Sequence, residues 1–187
     1  MNYICKATLL AVLISAGNVA AAEDGTITFT GTISDATCVI TGGSTSESTT
    51  PDFTVTLPSI STTALSKEGE RAGDTPFHIT LSGAQCADGK VANVFFELAQ
   101  STNIDASTGY LKNSTAKTSG GAEKVQIGLL DSDKTILNLN TANNTAKSVT
   151  VASNTARFDY WAQYVAVGGA ATAGAVNTDV VYSIKYQ

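Results

Sequence analysis

Apolar and polar side chains alternate in short runs through most of the chain, which is the pattern of strands that bury one face. Clusters rich in Gly, Asn, Ser and Thr separate these runs and favour turns and loops. The runs are TITFTGTI (26–33), FTVTL (53–57), PFHITL (76–81), VFFEL (94–98), KVQIGLL (124–130), SVTVA (148–152), RFDYWAQYVAV (157–167) and DVVYSIKY (179–186). Short strands at this spacing predict an all-β sandwich or barrel.

Helical patterning is nearly missing from the sequence. The stretch STTALSKEGER (61–71) has charges that suit one turn of helix, but its apolar content is too thin for a core helix. We therefore expect a loop there. A charged fraction of only 14%, with abundant Thr, Ser and Val, also suits exposed sheets better than helices.

The first 22 residues, MNYICKATLLAVLISAGNVAAA, have the pattern of a signal peptide. Lys6 precedes a short apolar run, and Ala20, Ala21 and Ala22 supply the small residues that a signal peptidase recognises. The run is shorter than the roughly 20 apolar residues that span a membrane. We therefore expect a signal peptide at 1–22 and a soluble, exported mature protein that begins at Glu23.

Removal of this leader takes Cys5 away and leaves Cys38 and Cys86 as a single pair. In an oxidising compartment, an even number of cysteines favours a disulfide. The alternative, a redox or metal site, requires a neighbouring ligand such as a second cysteine of a C-x-x-C motif or clustered histidines. The pair is thus expected to close a long loop and to stabilise the fold.

Candidate chemistry is sparse. The net charge of −5 argues against nucleic acid and anionic membranes as partners. His78, the only histidine, has no nearby pattern of nucleophile and acid, and Asp131 and Asp133 lack the glycine and distal glutamate of a calcium loop. The glycine-rich stretch 168–176 has no following Lys-Ser or Lys-Thr, so it does not match a phosphate loop. We expect no catalytic, cofactor or metal site.

Two features bear on carbohydrate. NST (113–115) and NNT (143–145) match the N-glycosylation motif, but chance is the default explanation in a chain this rich in Asn and Thr. Trp161 lies within a strongly aromatic predicted strand. Packing is the preferred interpretation of that residue, and a platform that stacks on sugar rings is the alternative.

Several longer stretches together resemble one protein family. They are GTITFTGTISDATCVI after the leader, VTLPSISTTAL and AGDTPFHITLSG before the second cysteine, and ATAGAVNTDVVYSIKY near the end. In combination they resemble the fimbrial (pilus) subunits of the chaperone–usher pathway of Gram-negative bacteria. Major shaft subunits of the type 1 kind, including those of Bordetella, are the most similar.

The resemblance implies an incomplete immunoglobulin-like β-sandwich, the pilin fold, which lacks its seventh strand and so has an apolar groove beside the C-terminal strand. A periplasmic chaperone fills this groove first, and the N-terminal extension of the next subunit replaces it in the fibre, as in the donor-strand complementation of pilins. On this basis, 23–37 is the N-terminal donor-strand extension and 38–187 is the pilin domain.

The resemblance also assigns roles to individual residues. The donor strand presents apolar side chains and one glycine, which are Ile27, Phe29, Gly31 and Ile33. The acceptor groove and chaperone-binding edge combine a glycine with the apolar face of the last strand; these residues are Gly174, Val180, Tyr182, Ile184 and Tyr186. A single disulfide is typical of the family, and here it is expected to join Cys38 and Cys86.

The resemblance thus implies a structural subunit that polymerises head to tail by donor-strand exchange and supports bacterial adhesion. Its expected partners are other pilin subunits, a periplasmic chaperone and an outer-membrane usher, and its expected location is a fimbria on the cell surface. The alternative is a secreted, monomeric carbohydrate-binding sandwich that uses Trp161. An enzyme is not expected, since no catalytic constellation can be assembled.

Overall fold

Eight strands form two antiparallel sheets in the computed structural model, which describes residues 38–141 and 147–187. They are β1 (Val39–Gly43), β2 (Arg71–Ser82), β3 (Val91–Phe96), β4 (Leu111–Lys112), β5 (Val125–Leu130), β6 (Val149–Thr150), β7 (Thr155–Ala166) and β8 (Tyr182–Tyr186). The larger sheet has the order β1-β2-β7-β5-β4, and the smaller sheet has the order β6-β3-β8. The all-β prediction is confirmed.

The core lies between the two sheets, where alternate side chains of each long strand point inward. In β7, every second residue from Ala156 to Ala162 is buried, which is the period expected of a strand with one face on a core. The central buried side chains are Ile79 and Leu81 of β2, Ala92, Val94 and Phe96 of β3, and Ala156, Phe158, Tyr160 and Ala162 of β7.

Most predicted strands correspond to an observed one, although the boundaries shift. The runs 94–98 and 179–186 become β3 and β8, and the runs 124–130, 148–152 and 157–167 become β5, β6 and β7. The run 76–81 lies in the C-terminal half of β2, which starts earlier. The predicted run 26–33 lies outside the described residues.

The cluster KEGERAGDTP (67–76), with two glycines and a proline, predicts a loop before the run 76–81. Instead the strand begins at Arg71, which pairs with Val165 of β7. A register shift between Ala72 and Thr75 accommodates the irregular sequence without ending the ladder. The long partner strand β7 thus imposes strand structure on residues with poor strand propensity.

Strands β1 and β4 were missed. The cluster TGGSTSESTTP (41–51) predicts a loop, yet Gly42 pairs with Ile79 in β1. A Cβ atom at Gly42 would lie 2.4 Å from the ring of Phe53, so only glycine lets this ring pack against the strand. The loop prediction failed because the glycine serves a long-range contact.

The run FTVTL (53–57) was predicted to be a strand, but it pairs with no strand among the described residues. Phe53, Val55 and Leu57 are half-buried against the core, whereas Thr54 and Thr56 are exposed. The alternation therefore indicates an extended segment with one buried face, as predicted. The prediction is wrong in that this segment does not pair with another described strand.

Loops pack on both faces of the larger sheet. A short 3-10 helix at Thr62–Leu65, within the predicted loop 61–71, places Leu65 against Val125 and Ala166, on the inward face that they share with Ile127. His78 is buried as well, and its Nε2 atom lies 2.5 Å from Oε1 of Glu47. The histidine thus anchors the loop after β1 to the sheet, consistent with a structural residue.

Candidate functional site

An open, apolar groove of about 740 Å³ runs beside β8 and reaches the core between the sheets. Two segments form its walls: the N-terminal lip (51–57) and the C-terminal lip (176–184). The charged side chains that line it are Asp52 and Asp179, and the remaining lining is mostly apolar. Such a groove suits an extended, apolar segment.

The floor of the groove consists of core side chains, among them Phe77, Ile79, Phe96, Leu129 and Ala162. Phe77 stacks on Tyr160 with a distance of 5.3 Å between ring centroids, and Phe96 meets the same ring edge-on at 5.6 Å. These geometries are favourable for aromatic pairs. The floor is therefore a packed surface and not a loose void.

The edge of β8 that faces the groove pairs with no strand in 38–141 or 147–187. Val91 and Gln187 exchange both backbone hydrogen bonds at the end of β3 and β8, which fixes the phase of this antiparallel ladder. Tyr182, Ile184 and Tyr186 therefore turn their N–H and C=O groups away from β3. No strand among the described residues pairs with this edge, so it is open to an added strand.

The same three residues present their side chains toward the core, because side chains on one face recur at every second position. An added strand beside them would thus gain a hydrogen-bond ladder and an apolar face together.

The two lips contact each other through Tyr182. The Tyr182 hydroxyl donates a hydrogen bond of 2.7 Å to the carbonyl oxygen of Pro51, and its ring lies edge-on to Phe53 at 6.4 Å. Burial raises the pKa of Tyr182, and the nearby carboxylate of Asp52 adds to this shift. The phenol therefore stays neutral at physiological pH and remains a hydrogen-bond donor.

The predicted acceptor residues occupy different places. Val180, Tyr182 and Ile184 line the groove. Tyr186 is half-buried and packs against the same core, and burial raises the pKa of its phenol. Gly174 instead lines a smaller neighbouring pocket of about 240 Å³.

Gly174 lies where two backbones approach closely. A Cβ atom there would lie 2.4 Å from the backbone nitrogen of Ala122, a separation that real Cβ atoms do not show. The neighbouring residue Ala175 pairs with Gly121 in a parallel bridge. Glycine at 174 thus lets the chain that leads into the C-terminal lip lie against the start of β5.

The predicted disulfide is present between Cys38 and Cys86. Cys86 is fully buried in the core, and Cys38 directly precedes β1, so the bond ties β1 to the loop after β2. The predicted donor residues Ile27, Phe29, Gly31 and Ile33 lie outside the described residues, as do the proposed domain boundaries at 22 and 37.

Sequence reasoning missed the N-terminal lip as part of the site. Its alternating pattern was recognised, but nothing local to 53–57 shows that this face borders a groove. The alternative site at Trp161 is half-buried, and the Nζ atom of Lys134 lies 4.1 Å from the centre of its indole ring. Lys134 also pairs with Asp74, so this ring face is covered by a structural cation–π contact.

Within 38–141 and 147–187, no group of three or more side chains of the kinds that ligate metals comes together. The same residues include no helix that is long and apolar enough to cross a membrane.

Comparisons with known proteins agree on one family. Residues 27–187 match the family model described as fimbrial protein. The chain is 37% identical over 183 residues to the major fimbrial subunit SMF-1 of Stenotrophomonas maltophilia, with 94% of this chain and 99% of the relative covered. It is 34% identical over 206 residues to the serotype 2 fimbrial subunit of Bordetella pertussis, with 98% and 95% covered.

Solved structures support the fold. A chaperone–usher pilus, solved to explain rod uncoiling, matches with a TM-score of 0.57 at 19% identity and covers 95% of this chain and 100% of its own. The P pilus rod subunit PapA matches with a TM-score of 0.54 at 16% identity and covers 73% and 93%. Together with the two sheets and the open groove, these matches identify an incomplete immunoglobulin-like sandwich. The predicted resemblance is confirmed: the chain belongs to the fimbrial protein family and is a structural subunit, not an enzyme.

Proposed function

We propose that this fimbrial subunit polymerises by donor-strand exchange, in which residues 23–37 of one subunit enter the groove of the next. Residues 1–22 direct export and are removed, and residues 38–187 form the pilin domain. The observation that carries this proposal is the coincidence of an apolar groove with a strand edge, at Tyr182, Ile184 and Tyr186, that no described strand pairs with.

The donor side is supported by the sequence. Ile27, Phe29 and Ile33 share one face of an alternating segment, and Thr28 and Thr30 lie on the other. Burial of each large apolar side chain contributes about 1.5–3 kcal/mol, and a backbone ladder with β8 adds to this. The total is large relative to the net stability of one domain.

The geometry of assembly follows from where donor and acceptor lie. Because the donor of one subunit enters a different surface on its neighbour, the contact is head-to-tail and does not close on itself. Such a contact generates an open filament. Adhesion to surfaces or host cells is then a property of the fibre as a whole.

Before assembly, the open edge of β8 needs protection, because an exposed strand edge promotes aggregation. A periplasmic chaperone that lends a strand to the groove, and an outer-membrane usher that exchanges it, supply this protection and the route to the cell surface. The fold match to a chaperone–usher pilus supports this pathway.

Two matched variants of the mature chain test the proposal. Phe29→Asp places an unpaired charge on the donor face, whereas Thr30→Asp places the same charge on the opposite face. We expect size-exclusion chromatography to show that Thr30→Asp assembles like the wild type and that Phe29→Asp does not. The Phe29→Asp chain should still bind an added wild-type peptide of residues 23–37. Equal assembly by both variants, or no binding of the peptide, would refute the proposal.

A further inference from the structure

The side chain of Asn113 uses its full hydrogen-bonding capacity. Its Nδ2 atom donates to the carbonyl oxygens of Ala122 and Ala175, each at 2.9 Å. Its Oδ1 atom accepts from the backbone N–H groups of Thr115 and Asn177, each at 3.0 Å. Since an amide offers two donor hydrogens and two lone pairs, all four are satisfied.

These bonds join three separate pieces of chain. Asn113 follows β4, Ala122 precedes β5, and Ala175 and Asn177 lead into β8. Val176, between the last two, lines the groove as the first residue of the C-terminal lip. Asn113 therefore holds the point at which this lip begins.

The C-terminal lip depends on such side-chain bonds because it lacks a regular ladder up to Tyr182, where β8 starts. Ser114 adds two bonds to the carbonyl oxygen of Asn177, from its N–H at 2.7 Å and its hydroxyl at 2.8 Å. Farther along, Asn103 donates to Asp179.

We propose that Asn113 is a positioning residue for donor-strand binding: its amide fixes the C-terminal lip and thereby the width of the acceptor groove at that end. This inference rests on the proposed function for its biological meaning. It also gives the motif NST a structural role, since the amide nitrogen that glycosylation would modify is occupied by two hydrogen bonds.

The orientation of the amide makes the substitution Asn113→Asp informative. A carboxylate has almost the same size and still accepts from Thr115 and Asn177, but it cannot donate to the carbonyl oxygens of Ala122 and Ala175. Those two oxygens would then face a negative charge. The change thus removes both side-chain donations at this junction and leaves the packing volume unchanged, while the backbone hydrogen bonds of Ala175 with Gly120 and Ala122 remain.

Asn140→Asp is a matched control. The Nδ2 atom of Asn140 donates one bond of 2.8 Å to the carbonyl oxygen of Ala106, and this residue does not line the groove. A second variant, Ser114→Ala, removes only the hydroxyl bond to Asn177 and keeps the proposal testable if Asn113→Asp fails to fold.

Each variant is made in the mature Phe29→Asp chain, whose own donor is disabled, and is measured by amide hydrogen exchange of 175–181 and by titration with the labelled peptide 23–37. We expect Asn113→Asp to speed exchange in this segment at least tenfold and to weaken peptide binding at least tenfold. Ser114→Ala should speed exchange and weaken peptide binding by a smaller factor. Asn140→Asp should change neither the exchange rate nor the peptide affinity by more than twofold.

Unchanged lip exchange and unchanged peptide affinity in Asn113→Asp would overturn the proposal, and so would equal effects of Asn113→Asp and Asn140→Asp. If Asn113→Asp does not fold, unchanged amide exchange of 175–181 and unchanged peptide affinity in Ser114→Ala overturn the proposal. Failure of the parent Phe29→Asp chain to bind peptide would refute donor-strand exchange instead, and the exchange rates of 175–181 would still decide whether Asn113 fixes the lip.

Discussion

The substitution Val55→Asp in the N-terminal lip should abolish tight donor binding without unfolding the subunit. Val55 is half-buried and lines the groove, so its remaining exposed surface becomes buried when a donor strand fills the site. In the empty groove, an aspartate at this position retains contact with water. We therefore expect the main cost to fall on the complex and not on the free subunit.

The magnitude follows from two contributions. Loss of the valine removes about 1 kcal/mol of apolar burial on binding, as half of the usual value for such a side chain. Dehydration of an unpaired carboxylate costs several kcal/mol more. A total of at least about 3 kcal/mol corresponds to a more than hundredfold weaker affinity.

Isothermal titration of the Phe29→Asp chain with the peptide 23–37 measures this effect. Val39→Asp is the matched control, because Val39 is exposed and does not line the groove. We expect the control to bind within about threefold of the parent chain. An affinity of Val55→Asp within tenfold of the parent would refute the assignment of this segment as a wall of the donor site.

Two further predictions concern the fold. Because Cys38 and Cys86 lie 48 residues apart in sequence, replacement of either by serine should lower the free energy of unfolding by about 4 kcal/mol, measured by urea denaturation; a loss below about 1 kcal/mol would contradict the structural role. Burial raises the pKa of Tyr160 above the ordinary value of 10.0, and Asp131 adds to this. Stability should therefore be fully present below about pH 10, where the unfolded phenol is still protonated, and should fall above it by up to about 1.4 kcal/mol per pH unit. Tyr160→Phe should make the fall of the unfolding free energy with pH less steep, with little loss of stability at neutral pH, because the hydroxyl has no hydrogen-bond partner among the described residues. An unchanged pH dependence would contradict its assignment to Tyr160.

Local alternation predicted much of the fold because the core is built from alternate residues of long strands. The run 157–167 is the clearest case, since its buried positions from Ala156 to Ala162 follow the period of two. The C-terminal run was likewise assigned the correct inward face, and the cysteine count predicted the disulfide.

Features that depend on distant partners could not be predicted in this way. Gly42 gave a loop signal in isolation, but it belongs to a strand because Phe53 packs over it. The extended segment 53–57 alternates like a strand and has no partner strand among the described residues. Nothing in its own residues distinguishes it from a strand that is paired.

The role of Asn113 was hidden for a related reason. Its sequence context matched a common modification motif, and the partners that define its function are 9 and 62 residues away. Side-chain amides that bridge irregular segments have no periodic signature. Such residues are found from the hydrogen bonds of the folded chain.

The open edge of β8 gives the most direct test of donor-strand binding, through residue-resolved amide exchange measured by NMR in the Phe29→Asp chain. Without peptide, the N–H groups of Tyr182, Ile184 and Tyr186 should exchange rapidly, whereas those of Ser183 and Lys185, which face β3, should be protected. Addition of the wild-type peptide 23–37 should slow amide exchange at Tyr182, Ile184 and Tyr186 by about a hundredfold or more. Unchanged exchange at these three residues, with peptide bound elsewhere or not at all, would contradict the central claim.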